Sequence, residues 1–144
     1  MNTVISFESP KDHYEADACV VWCFDDRFYK VLKAFGKQSG WNHIDLVKVA
    51  GGAKALAGGP SPERDFLANQ IKTSVRLHNT KCIVLMTHRD CGAYGGSKSF
   101  ANADAERAEH EKQLAAAKAF VAGDAAAGMP VETYFADFDG LYAV

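Results

Sequence analysis

The segment KCIVLMTHRDC, residues 81–91, decides how the chain is read. Its first seven residues are almost all apolar or β-branched, the composition of a strand buried on both faces of a parallel sheet. The run then breaks into His88-Arg89-Asp90-Cys91. An imidazole and a thiol three positions apart can be aimed at one point by a single loop turn. An earlier segment, ACVVWCFDDR at residues 18–27, has the same design. It is a short run of β-formers that ends in Cys23-Phe24-Asp25-Asp26-Arg27.

The segments between these two fill out an alternation. Phe28, Val31, Leu32 and Phe35 recur at helical spacing, with Gly36 and Gly40 as the stop. Residues 43–49, HIDLVKV, read as a second strand, followed by a loop holding Gly51, Gly52, Gly58, Gly59 and Pro60. Ser61 then suits a helix N-cap, Pro62 the first helical position and Glu63 the positive end of the helix dipole. Leu67, Ile71 and Val75 make that helix's apolar stripe, and Asn79 ends it. Beyond the 81–87 strand comes a glycine-rich loop. Residues 103–127 predict a long alanine-rich helix, stopped by Gly128 and Pro130, and residues 131–138 a fourth strand. The expected fold class is therefore α/β, with right-handed crossovers. It has a parallel central sheet of about four strands in the assumed order 2-1-3-4, with room for an added edge strand, flanked by helices. One domain is expected to span residues 1–144.

Bulk properties narrow the function. The chain has 144 residues, 48% of them hydrophobic, and a net charge of −2. Nothing in that balance suggests a nucleic-acid or membrane surface. No apolar run reaches the roughly 18 residues of a membrane helix, and residues 1–10 lack the apolar region of a signal peptide. A cytoplasmic protein with reduced cysteines is expected. Of the four cysteines, Cys19, Cys23, Cys82 and Cys91, none forms a close Cys-x-x-Cys pair.

In open α/β sheets, ligands bind beyond the carboxyl ends of strands where the strand order reverses. In the order 2-1-3-4 that point lies between the first and third strands, which brings both clusters to one crevice. Cys23, His88 and Cys91 then form a zinc-ligand set, and a tetrahedral ion keeps a fourth position for water. A metal-bound water yields hydroxide near neutral pH. Asp25 can take the fourth position in a closed form or accept a hydrogen bond from the water, and Arg27 can hold Asp25 through a two-pronged pair. Two thiolates cancel the charge of zinc, so the water is less acidic than on a three-histidine site.

Blander readings exist for each residue alone. Asp25 can be a helix cap, Cys23 a buried thiol and His88 a satisfied core histidine. A closed structural zinc site needs a fourth ligand, yet Cys19 lies about four residues, or ~13 Å, back along its strand. Cys19 and Cys82 read as core. The loop Gly92-Ala93-Tyr94-Gly95-Gly96-Ser97-Lys98-Ser99 nearly matches the phosphate-binding pattern G-x-x-x-x-G-K-[ST], with Ser97 in place of the second glycine. His13, His43, His78 and His110 read as surface or helix-end residues, His13 having a smaller prospect of folding over the crevice.

These residues resemble the β-class carbonic anhydrases, which carry C-x-D-x-R after the first strand and H-x-x-C after the third. Cys23, Asp25, Arg27, His88 and Cys91 meet both motifs. Gly92-Ala93, Ala50-Gly51 and the ending Phe138-Asp139-Gly140-Leu141 also fit. The resemblance covers roughly residues 19–144. It implies Zn²⁺ held by Cys23, His88 and Cys91, an Asp25–Arg27 dyad, CO₂ and bicarbonate as the small-molecule substrate pair, and a homodimer or higher homo-oligomer. Phe24, Trp41 and Phe66 are the apolar candidates for the subunit surface. Several features depart from the family pattern. Only 22 residues precede Cys23, so the swapped N-terminal arm is reduced or missing. The usual pocket glutamine has no counterpart, Asp26 stands where serine is usual, and Lys48-Val49-Ala50-Gly51-Gly52 replaces an Arg-Asn-Ala-Gly-Asn type segment. The family's helices after the last strand are expected to be absent. These differences touch pocket and dimer rather than ligands. Hydrolysis of CS₂ or COS, a catalytically silent zinc domain and a nucleotide-binding module are the competing readings.

Overall fold

The structure, a computed structural model, describes residues 2–144. Five strands form one sheet in the order β2-β1-β3-β4-β5. They are β1 (Ala18–Trp22), β2 (Ile44–Lys48), β3 (Ile83–His88), β4 (Val131–Asp137) and β5 (Gly140–Ala143). The first four pair in parallel, and β5 turns back antiparallel on β4 as the added edge strand. Four helices connect them: α1 (Tyr29–Ser39), α2 (Lys54–Ala57), α3 (Pro62–His78) and α4 (Ala103–Gly123).

Side-chain alternation divides the sheet into two cores. Cys19, Val21, Ile83, Leu85 and Phe135 face α2, α3 and α4 and pack on Leu56, Leu67, Ile71, Leu114 and Val121. Val20, Trp22, Val84 and Met86 face the other way, onto Phe28 and the α1 residues Val31, Leu32 and Phe35. The chain moves outward from β1 to β2 with α1 on one face. It returns across the sheet with α3 and α4 on the other, as a uniform crossover hand requires.

Local signals explain the boundaries. Ser61 caps α3 by accepting from the Arg64 N–H, with Pro62 next, and Asn79 ends it in the left-handed region at φ 45°. The long helix is shorter than expected. It ends at Gly123, because Ala125 and Ala126 turn down into the α3/α4 core. Trp41, expected as an exposed surface residue, instead packs on Phe35, with ring centroids 4.8 Å apart, and on the α1 core. No helix among the described residues is long and apolar enough to cross a membrane.

Candidate metal centre

Parallel strands β1 and β3 lie side by side, so their carboxyl ends share one crevice. Cys23 follows directly on β1, His88 is the last residue of β3 and Cys91 lies three residues further on. One donor atom from each falls within 4.8 Å of the others, and all three residues are buried. The His88 ring is wedged among Trp22 and Phe28, and its Nδ1 lies 2.8 Å from the Arg89 carbonyl oxygen. A carbonyl only accepts, so Nδ1 carries the proton and donates it. The lone pair is then left on Nε2, which is buried and has no hydrogen-bond partner among the described residues. This is the orientation that a metal-ligating histidine needs.

Thiol chemistry separates the four cysteines. Burial pushes Cys19 up to about 11, and does the same to Cys82; both behave as core thiols. Cys91 and Cys23 influence each other instead: their proximity holds Cys23 well below the ordinary thiol range and Cys91 above it. The backbone N–H groups of Asp25 and Gly51 also favour the Cys23 thiolate, and those of Ala93 and Tyr94 favour the Cys91 thiolate. A dication would be held by both sulfurs as thiolates. The donor set of two such sulfurs and one free imidazole nitrogen fits zinc.

The glycines after β2 make room for this. Gly52 sits at φ +57°, and a Cβ there would lie 2.3 Å from the Met86 carbonyl oxygen and 3.1 Å from the Cys23 nitrogen. Only glycine lets that loop close on both strands that carry the triad.

Asp25 and Arg27 meet as a pair. The guanidinium grips Asp25 through Nε, at 3.1 and 3.2 Å from the two carboxylate oxygens, and through Nη2 at 2.7 Å. That pairing, reinforced by the Arg27 backbone N–H at 3.0 Å, lowers Asp25 to about 2. Asp25 is also the N-cap of the 3-10 turn Asp26–Phe28, so the cap reading and the dyad geometry hold together. In this arrangement the carboxylate is turned to Arg27, and Asp25 is not a member of the metal-ligand cluster.

Several participants were not singled out from sequence. Asp90, at φ +55°, accepts from Arg27 Nη1 at 2.9 Å, and its carbonyl accepts from Nη2 at 3.0 Å. Behind it stands Glu106 of α4, 1% exposed. Glu106 accepts from the Asp90 N–H at 2.6 Å, the Ser97 hydroxyl at 2.7 Å and Arg89 Nη1 at 3.0 Å. Arg89 in turn clamps Asp137 at the end of β4, with Nη2 2.6 Å from Oδ2. Burial pushes the Glu106 carboxyl up, but these bonds outweigh it and hold it below its usual range. A sequence signal existed: Glu106, His110, Leu114, Ala117 and Val121 are the buried residues of α4 and form one helical stripe.

The structure corrects two histidine readings. His110 is wholly buried rather than at the surface, because it lies on that core stripe. His13 does not reach the crevice. Its ring lies 5.7 Å from that of His78, which ends α3 and bonds Asp45 near the start of β2, at the opposite end of the sheet. The glycine-rich loop is no phosphate cradle either, since the Ser97 N–H donates to the Asp90 carboxylate. Phe24 and Phe66 are exposed, at 61% and 55%.

Residues 14–140 match the family model described as "Putative carbonic anhydrase". The chain belongs to this carbonic anhydrase family. No curated protein matches it. Among solved structures, it is similar to the β-carbonic anhydrase isoform I of Trichomonas vaginalis, with a TM-score of 0.62 and 13% identity over 96% of this chain and 87% of that one. It is also similar to the carbonic anhydrase of Glaciozyma antarctica, with a TM-score of 0.60 and 15% identity over 91% and 83%. A third similar structure is the apo form of a carbon disulfide hydrolase, at TM-score 0.55 and 13% identity over 90% and 79%. At these identities the likeness is one of fold. Carbonic anhydrase folds thus accommodate the β2-β1-β3-β4-β5 sheet seen here.

Proposed function

We propose that this carbonic anhydrase family member is a zinc enzyme that interconverts CO₂ and bicarbonate, with residues 1–144 acting as one domain. The observation that carries the reading is the buried triad Cys23, His88 and Cys91, with donor atoms within 4.8 Å of one another and His88 Nε2 free. These three would hold the ion. Bound there, zinc supplies an acidified water as nucleophile near neutral pH. Asp25 is the acceptor that orients the attacking oxygen, and Arg27 positions Asp25. With its carboxyl lowered to about 2, Asp25 is ionised throughout the working range. The likeness to a carbon disulfide hydrolase supports a second reading, hydrolysis of CS₂ or COS at the same triad.

Ligating thiols need a reducing compartment, which supports the cytoplasm. The exposed Phe24, next to Cys23, and Phe66 support a homodimer or larger homo-oligomer that covers this end of the sheet. Metal analysis and stopped-flow CO₂ hydration test the reading together. About one zinc per chain is expected, lost in Cys91→Ser, along with hydration activity in the wild type. Full zinc occupancy in Cys91→Ser would remove the triad. Zinc with CS₂ or COS turnover but no CO₂ hydration would favour the second reading.

A further inference from the structure

Three side chains around the metal centre have buried polar atoms with no partner among the described residues. Thr87 Oγ1, Tyr94 Oη and both ring nitrogens of His110 are buried and unbonded. Thr87 is 1% exposed and His110 0%. They come from three elements, β3, the turn after Cys91 and α4, and Phe135 and its neighbours link them. Thr87 shares the side-chain parity of Ile83 and Leu85, so it faces α4, and its register partner on β4 is Phe135. The His110 ring lies 5.0 Å from the Phe135 ring and 4.1 Å from the Tyr94 ring. Tyr94 ends the turn Gly92–Tyr94 that follows Cys91.

An unpaired buried polar group costs ~1–3 kcal/mol, so several in one place call for a bonding partner. The groups do not bond to one another. What remains is a small molecule that both donates and accepts. An anion is disfavoured: burial holds His110 neutral, and Arg89, the cation over the Phe135 ring, is already bonded to Asp137 and Glu106. One imidazole beside two hydroxyls is a poor metal set. A water is amphoteric and takes two to four such partners.

We propose that Thr87, Tyr94 and His110 together hold a buried water, lodged between β3, the turn after Cys91 and α4. The water ties that turn to the long helix, so it braces the segment that carries Cys91. Nothing in this depends on which metal or substrate the crevice takes.

The test uses the full-length chain. Thr87→Val keeps the shape and removes one hydroxyl, and Tyr94→Phe removes another. If a water bonds both, each substitution lowers the folding constant about fivefold in urea titration, and the double variant loses less than the product of the two. Magnetisation transfer in solution NMR should also reveal a long-lived water beside the Tyr94 and His110 ring protons, weakened in Thr87→Val. If Thr87→Val and Tyr94→Phe both fold as stably as the wild type or more stably, the hydroxyls are unbonded and the assignment is overturned. Absence of the water signal in the wild type overturns it as well.

Discussion

Glu106→Gln is the perturbation that most directly probes how the crevice is held. The amide keeps the volume of the side chain, so a fully buried site gains no cavity. It has one acceptor oxygen where the carboxylate has two. If that oxygen keeps the Asp90 N–H, the amide NH₂ faces Arg89 Nη1, which can only donate, and the Ser97 hydroxyl, which can rotate to accept. One charge-assisted bond is lost outright and two weaken, at roughly 1.5–3 kcal/mol for a bond to a charged group. Arg89 keeps its grip on Asp137 and does not become a bare buried charge. The loss should therefore stay below the ~3–5 kcal/mol of a fully broken buried pair. We expect ~2–3 kcal/mol, read as a shift of the urea midpoint at unchanged slope in metal-free protein. Because Asp90 precedes Cys91, zinc affinity measured against a chelator should also fall, by about 10- to 100-fold. Stability within ~0.5 kcal/mol of wild type would show that Glu106 does not hold this loop.

Three further outcomes are expected. Asp25→Asn should retain zinc and lose CO₂ hydration by about 100-fold or more, since the amide is the weaker acceptor and pairs poorly with Arg27; wild-type rates across pH would leave Asp25 as a cap alone. Gly52→Ala should destabilise the fold well beyond Gly40→Ala. Both sit at positive φ, but a Cβ at Gly52 meets the Met86 carbonyl at 2.3 Å while one at Gly40 meets nothing within 4 Å, so equal losses in urea would contradict the close approach. Metal-free protein should lose stability as pH falls from 6.5 towards 4, because burial lowers His110 from 6.5 to about 4 and the fold holds it neutral. That stabilisation is complete above pH 6.5 and amounts to ~3 kcal/mol at about 1.36 kcal/mol per pKa unit; a wild-type loss over this window no larger than that of His110→Phe would refute it.

Much of the layout is legible in the sequence because each signal is local. Strands β1 and β3 are unbroken apolar runs, Ser61-Pro62 states a helix start, and Cys23, His88 and Cys91 stand at strand ends where an α/β sheet brings side chains together. What sequence reading misses is non-local. Arg89, Glu106 and Asp137 are far apart in the chain and meet only when α4 crosses β3 and β4. Glu106 and His110 were hidden by composition: a helix rich in alanine and charge reads as solvated, and its weak apolar stripe drew less notice than its Glu and Lys residues. Trp41 failed differently. Its sequence neighbours are polar, and only the packing of α1 against β2 gives it Phe35 and Ile44 to cover.

The non-local bonds give the metal crevice a property that the motifs alone do not. From Asp137 through Arg89, Glu106, Asp90 and Arg27 to Asp25 runs one hydrogen-bonded chain, in which each arginine bridges two carboxylates and the Asp90 N–H joins the two halves at Glu106. Each carboxylate in it is held below its usual range, and both arginines are raised by their partners. No member therefore changes charge near neutral pH. Protons that come and go there do so at the crevice itself, while the chain that aims Asp25 stays in one ionisation state. Arg27 is exposed, and a dyad resting on it alone would be screened and mobile. Anchored through Asp90 to a buried carboxylate on α4, Arg27 takes its position from the fold, and Asp25 takes its position from Arg27.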